Sequence, residues 1–99
     1  ARRIIEAVGA PNLKLMFDCY HIQILEGDLT RRIDANLDIT GHIQFAGVPS
    51  RGRPDMGEVN YAHIFAHLAV RGYDVPLGAE YRPEAGNTDA SLGWMTALR

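Results

Sequence analysis

Leu13-Lys14-Leu15-Met16-Phe17-Asp18, Gly41-His42-Ile43-Gln44-Phe45-Ala46 and Val75-Pro76-Leu77-Gly78-Ala79-Glu80 decide the fold. Each is a short, largely apolar run, and each carries a polar side chain at or near its C-terminal end. Such runs predict mostly buried strands. Their ends fall at positions 18, 46 and 80, about 30 residues apart, the length of a strand–helix–strand unit. Parallel strands need a crossover of that size, so the sheet is expected to be parallel. Pro76, near the start of the third run, is tolerated because a first strand residue can lack a ladder donor.

The segments between the runs support this order. Arg2 to Val8 reads as a helix, with Ile4, Ile5 and Val8 at helical spacing, Gly9 to close it and Pro11 to stop it. Gly27-Asp28 predicts a helix start with Asp28 as N-cap, and Leu29, Ile33 and Leu37 then form one apolar stripe. Asn60 predicts the cap of a helix running to Arg71, with Ala62, Phe65, Ala66 and Ala69 as its inward face. A last helix is expected over residues 89–98. Gly47 to Gly57 is a long connection rich in Gly, Pro and charge, the kind of loop that carries function. No sequence repeat is visible.

Composition narrows the function classes. The 99 residues are 46% hydrophobic and 22% charged, with a formal net charge of −2. That is the profile of a globular domain, with no basic excess for nucleic acid or anionic membrane. The apolar runs fall far short of the roughly 20 residues that span a bilayer. The single cysteine, Cys19, permits no internal disulfide and fits a reducing compartment, so a cytoplasmic location is expected.

In parallel βα architectures, sites are built at the C-terminal ends of the strands. Asp18, His42 with Gln44, and Glu80 fall there. A carboxylate ending an apolar strand is costly unless it is bonded, metal-bound or open to a cleft. Taken singly, Asp18 reads as an N-cap, Gln44 as a sheet-edge amide and Glu80 as a surface carboxylate. Together they form a candidate set of oxygen donors for a hard divalent cation, Mg²⁺ or Mn²⁺. His21, three residues past Asp18, can hold a substrate oxygen or be a simple loop residue. Arg51 and Arg53 in the long loop can bind a carboxylate through the planar guanidinium or stay solvated.

Other signals favour structural roles. His63 and His67 have the i, i+4 spacing of a zinc helix, but His63-Ile64-Phe65-Ala66-His67 lacks the zinc-protease glutamate, and the helix is expected outside the sheet, away from the strand ends. Cys19 reads as a small core filler, with no base at close range. No glycine-rich phosphate motif is present.

Five stretches carry a family resemblance: Leu13 to Asp28 (LKLMFDCYHIQILEGD), Gly41 to Gln44 (GHIQ), Arg51 to Asn60 (RGRPDMGEVN), Gly78 to Pro83 (GAEYRP) and Leu92-Gly93-Trp94. They resemble the C-terminal portion of the hydroxypyruvate isomerase family, within the xylose-isomerase-like TIM barrels. The resemblance covers nearly the whole chain. It implies a single partial domain over 1–99, comprising strands six to eight of a (β/α)₈ barrel with their helices.

The same resemblance implies a divalent metal held by two glutamates, an aspartate and a Gln or His. It gives the aspartate position to Asp18, the Gln or His position to Gln44 and the second glutamate to Glu80, which also moves a proton. It implies substrate contacts for His21 and Arg51. The implied reaction interconverts hydroxypyruvate and tartronate semialdehyde through an enediolate. Alternatives are a 2-oxo-tetronate isomerase, a ketose 3-epimerase (against which Gln44 in place of histidine argues) and a non-catalytic barrel fragment. Glu58 and Asn60 match the family pattern without an assigned role. Arg53 departs from it, standing where a glutamate is usual, and is expected to add positive charge near the mouth. The other metal-binding glutamate would precede residue 1. The expected partners are therefore a small hydroxy-oxo acid, the remaining N-terminal part of the barrel and a second copy of the chain, with no nucleic acid and no membrane.

Overall fold

The structure, a computed structural model, describes residues 1–98. In chain order it contains α1 (Arg2–Val8), β1 (Leu15–Asp18), α2 (Cys19–Leu25), α3 (Leu29–Asn36), β2 (Thr40–Phe45), α4 (Tyr61–Val70), β3 (Leu77–Ala79), α5 (Thr88–Ser91) and α6 (Trp94–Ala97). The three strands form one sheet in the order β1-β2-β3, and both pairings are parallel. Asp18 lies opposite Gln44, and Gln44 opposite Gly78. The expected parallel βα architecture is therefore present.

Side chains alternate across the sheet, and the alternation divides the molecule. Phe17, Ile43 and Phe45 point into the helical layer, where each is at most 3% exposed. They pack with Leu29 and Ile33 of α3, Tyr61, Ile64 and Leu68 of α4, and Trp94 of α6. Phe45 is the hub: its ring centroid lies 4.9 Å from Phe65, 5.4 Å from Tyr61 and 5.6 Å from Trp94. The tilted and edge-to-face geometries are those that aromatic quadrupoles prefer. Met16, Asp18, His42, Gln44 and Gly78 occupy the opposite face, and none of them is buried.

Several expectations need correction. Residues 19–25 form a helix that apolar periodicity did not announce, because Ile24 and Leu25 stay exposed and only Cys19 is buried. Its start is fixed instead by Asp18, whose Oδ1 accepts the His21 backbone N–H at 3.2 Å. Asp28 holds the N-cap position of α3 but makes no cap bond. Its backbone is left-handed, at φ 55°, and its carboxylate pairs with Arg31.

The inward face of α4 is Tyr61, Ile64 and Leu68, with Phe65 packed against the core as expected, whereas Ala62, Ala66 and Ala69 are exposed. Three alanines offer little area, and turning Tyr61 inward buries a large ring whose hydroxyl donates to the Ala46 carbonyl at 2.7 Å. The single helix expected over 89–98 is two one-turn helices. In the first, Ser91 Oγ bonds back to the Thr88 carbonyl at 2.6 Å, a bond that competes with helix continuation. The other boundaries agree to within a few residues. Gly9 closes α1 at φ 68°, and the Asn60 side chain caps α4 through the His63 N–H.

Candidate active site at the C-terminal end of the sheet

The open face of the sheet gathers its polar groups at one end. Asp18 and Gln44 are register partners, and Glu80 follows Gly78 by two residues, its N–H bonding the Phe45 carbonyl at 3.0 Å. All three lie at the C-terminal end of the parallel sheet. Gly78 leaves room here for the His42 ring, whose Nε2 would lie 2.9 Å from a Cβ at this position and would have to shift for any larger residue. The His42 ring and the Gln44 side chain therefore lie over the Gly78 backbone on the same face.

Asp18 serves the backbone and keeps part of its carboxylate free. Its side chain is 13% exposed, Oδ1 caps α2, and Oδ2 lies 3.9 Å from His21 Nε2. A carboxylate has about four lone-pair positions, so capping leaves acceptor capacity free. His21 is more exposed than Asp18, and its ring meets Tyr20 edge-on with centroids 5.1 Å apart.

The loop between β2 and α4 is packed. Val48 and Pro54 are fully buried. Gly47 N–H bonds the Gly52 carbonyl, and Glu58 N–H bonds the Val48 carbonyl. Gly57, at φ 97°, lies so close to the Val48 carbonyl that a side chain there would collide with backbone. This framework presents Arg51 in the left-handed region, at φ 58°, a conformation that a non-glycine residue adopts only when its surroundings impose it. The Arg51 carbonyl accepts the Arg82 N–H at 2.8 Å, tying the loop to the chain after β3. Arg51 Nη2 reaches Glu80 Oε2 at 3.3 Å, and its guanidinium lies 5.3 Å from the Tyr20 ring centroid.

Arg53 does not supply the free charge expected at the mouth. It forms a two-point pair with Asp55, at 3.0 and 2.6 Å, which neutralises it within the loop. Its guanidinium is correspondingly held protonated by the Asp55 hydrogen bonds. His63 and His67 face α3: His67 Nε2 lies 2.7 Å from Asp34 Oδ1, and His63 Nε2 lies 3.3 Å from Thr30 Oγ1. They join two outer helices. Cys19 is wholly buried, and that burial, reinforced by the Asp18 charge, pushes its thiol up to about 12.

Asp18, Gln44 and Glu80 offer two carboxylates and an amide oxygen. Those are the donor types of a hard divalent cation. Among the described residues, no three His, Cys, Asp or Glu side chains are grouped closely enough to hold an ion. The set fits such a cation in donor type alone, and further oxygen donors are needed to complete the coordination.

The sequence profile described as Xylose isomerase-like TIM barrel matches residues 1–98. The chain belongs to this family. Its three parallel βα units are a part of that α/β architecture. The chain is 52% identical over 92 residues to a 2-oxo-tetronate isomerase of Cupriavidus necator, which covers 93% of this chain and 35% of that protein. It is 40% identical over 99 residues to the hydroxypyruvate isomerase of Escherichia coli K12, covering 100% of this chain and 38% of that protein. A crystal structure from Brucella melitensis described as an AP endonuclease, family 2, superposes with a TM-score of 0.92 at 40% identity, over 100% of this chain and 38% of that one. The chain thus spans between a third and two fifths of these relatives. No described helix is long and apolar enough to cross a membrane.

Tyr20 is the residue at this site that the sequence did not single out. Its signal was faint: an aromatic residue between Asp18 and His21, in a stretch read as a connection.

Proposed function

We propose that the protein acts as an aldose–ketose type isomerase on a small hydroxy-oxo acid, interconverting hydroxypyruvate and 2-hydroxy-3-oxopropanoate. The observation that carries this reading is the pairing of Glu80 with Arg51 beside the Asp18–Gln44 register pair, at the end of the sheet where such sites are built. The names of the relatives support the reaction class.

Each residue has a task in this reading. Arg51 grips the substrate carboxylate through its planar donor fork. The grip would fix where the carbon that loses its proton sits relative to the Glu80 carboxylate. Glu80 is the carboxylate that takes or returns that proton. His21 donates to a substrate oxygen. Asp18, Gln44 and Glu80 are the donors for Mg²⁺ or Mn²⁺, which when bound would polarise the substrate carbonyl and acidify the neighbouring C–H. Displacement of Arg51 from Glu80 by the incoming carboxylate would free Glu80 for proton transfer.

A second substrate, a 2-oxo-tetronate, is supported by the 52% identity to a 2-oxo-tetronate isomerase. Both substrates place a carboxylate next to a carbonyl, so Arg51 and Glu80 serve either. The test is an assay of the full-length gene product with hydroxypyruvate, a 2-oxo-tetronate and neutral ketoses, with and without Mg²⁺ or Mn²⁺. Turnover of a hydroxy-oxo acid is the expected result. Turnover of neutral ketoses alone, or none of any substrate, would overturn the reading.

A further inference from the structure

Tyr20 touches three parts of the candidate site at once. Its ring carries the Arg51 guanidinium, with Cζ 5.3 Å from the centroid. Its hydroxyl donates to the Pro49 carbonyl at 3.4 Å, in the same loop as Arg51. Its edge meets the His21 ring, with centroids 5.1 Å apart and planes at 78°. An arginine side chain has many rotamers, and a lone ion pair in partial solvent selects weakly among them. Arg51 is about 29% exposed and Glu80 about 55%, so their pair is of this kind. The aromatic face adds a second, directional constraint, because a guanidinium is drawn to the negative face of a ring. The bond to Pro49 holds that face to the backbone of the loop that bears Arg51.

We propose that Tyr20 is a positioning residue that holds the Arg51 guanidinium beside Glu80, and so sets the preference of the site for ligands that carry a carboxylate. The inference rests on the reading of Arg51 as the carboxylate-binding group. Through Arg51 its effect should fall on charged ligands and vanish when Arg51 is absent, whereas an effect through the neighbouring His21 ring would reach neutral ligands as well.

The experiment measures binding to the full-length gene product by calorimetry, with two unreactive probes. Glycerate carries the carboxylate but no carbonyl to isomerise, and glycerol has the same carbon skeleton without the charge. Tyr20→Leu is expected to weaken glycerate about 3- to 10-fold, the range of a partly desolvated cation–π contact, and to leave glycerol unchanged. Tyr20→Phe keeps the ring but loses the bond to Pro49, so it should fall between wild type and Tyr20→Leu. In an Arg51→Met background, Tyr20→Leu should add nothing. If Tyr20→Leu does not fold, Tyr20→Gln takes its place with the same expectations. The proposal is overturned if wild type does not bind glycerate, if loss of the ring leaves glycerate binding intact or weakens both probes equally, or if its effect persists without Arg51. Ring-dependent glycerate binding by a protein that turns over no hydroxy-oxo acid would support this inference while removing the isomerase reading, so the two fail separately.

Discussion

Arg51 Nη2 and Glu80 Oε2 lie 3.3 Å apart, although the two residues come from different connections at the end of the sheet. Arg51 is delivered by a packed loop with a left-handed backbone, and Glu80 by the first residue beyond β3. The pair brings a cation that can receive a substrate carboxylate next to a carboxylate that can exchange a proton. It also means that, without substrate, each group is the other's partner. In the proposed reading, binding of an anionic substrate would exchange one carboxylate for another on the same guanidinium, which would limit the loss of charge pairing.

Arg51→Met should therefore separate binding from chemistry. The variant loses the charge-assisted bonds to the substrate carboxylate. KM for a hydroxy-oxo acid is expected to rise roughly 10- to 100-fold, with a smaller change in kcat. Steady-state kinetics of the full-length protein check this. An unchanged KM would remove Arg51 from the substrate site.

Cys19 makes a prediction about pH. Its thiol is raised from an ordinary value of 9.0 to about 12 by burial and by the neighbouring Asp18 charge. Below pH 9 the folded and unfolded chains both keep the proton, and stability does not depend on this group. Between about 9 and 12 the unfolded chain gives it up first, so stability falls as pH rises. The slope approaches about 1.4 kcal/mol per pH unit. Burial of Tyr61 raises its hydroxyl as well and steepens the fall above pH 10. Urea midpoints measured from pH 7 to 10.5 should hold to about pH 9 and decline above it, and Cys19→Ala should flatten the part between 9 and 10. At neutral pH, Cys19 of the folded protein should resist alkylation.

Phe45 tests the aromatic hub. It is 3% exposed and meets Tyr61, Phe65 and Trp94. Phe45→Ala removes the ring that joins β2 to α4 and α6. The expected cost is about 3–5 kcal/mol, read as a drop in the denaturant midpoint. A loss below about 1 kcal/mol would mean that the surrounding rings close over the gap.

How much of this was legible in the sequence depends on where the deciding force lies. The strands were readable because Phe17 sits in a largely apolar run and Ile43 and Phe45 alternate with polar residues, and the parallel order followed from the spacing of the strands. The start of α4 was readable because Asn60 caps locally. Its inward face was not, because the choice of Tyr61 over the alanines depends on the distant Ala46 carbonyl and the Phe45 ring. Likewise, Asp18, Gln44 and Glu80 could be placed at strand ends from sequence, since a strand end is a local property. The neutralisation of Arg53 by Asp55 and the contact between Arg51 and Tyr20 depend on how the loop folds back, which no periodicity encodes.

Glu80→Gln is the most direct test of the chemistry. The substitution keeps the size of the side chain and one oxygen donor, and it removes the proton acceptor. Glu80 is also about half exposed, and its structural hydrogen bond to the Phe45 carbonyl comes from the backbone. Folding should therefore be little affected. A general acid–base group contributes about 10²–10⁴-fold, and Glu80 is also a proposed cation donor, so the loss of kcat should reach the upper end of that range. The 99 residues alone should show no appreciable turnover, because among the described residues no three His, Cys, Asp or Glu side chains are grouped to hold the proposed cation, which needs further oxygens. Near-normal turnover by the full-length Glu80→Gln protein would remove Glu80 from the proton transfer. Metal-dependent turnover by the isolated 99 residues would show that Asp18, Gln44 and Glu80 suffice.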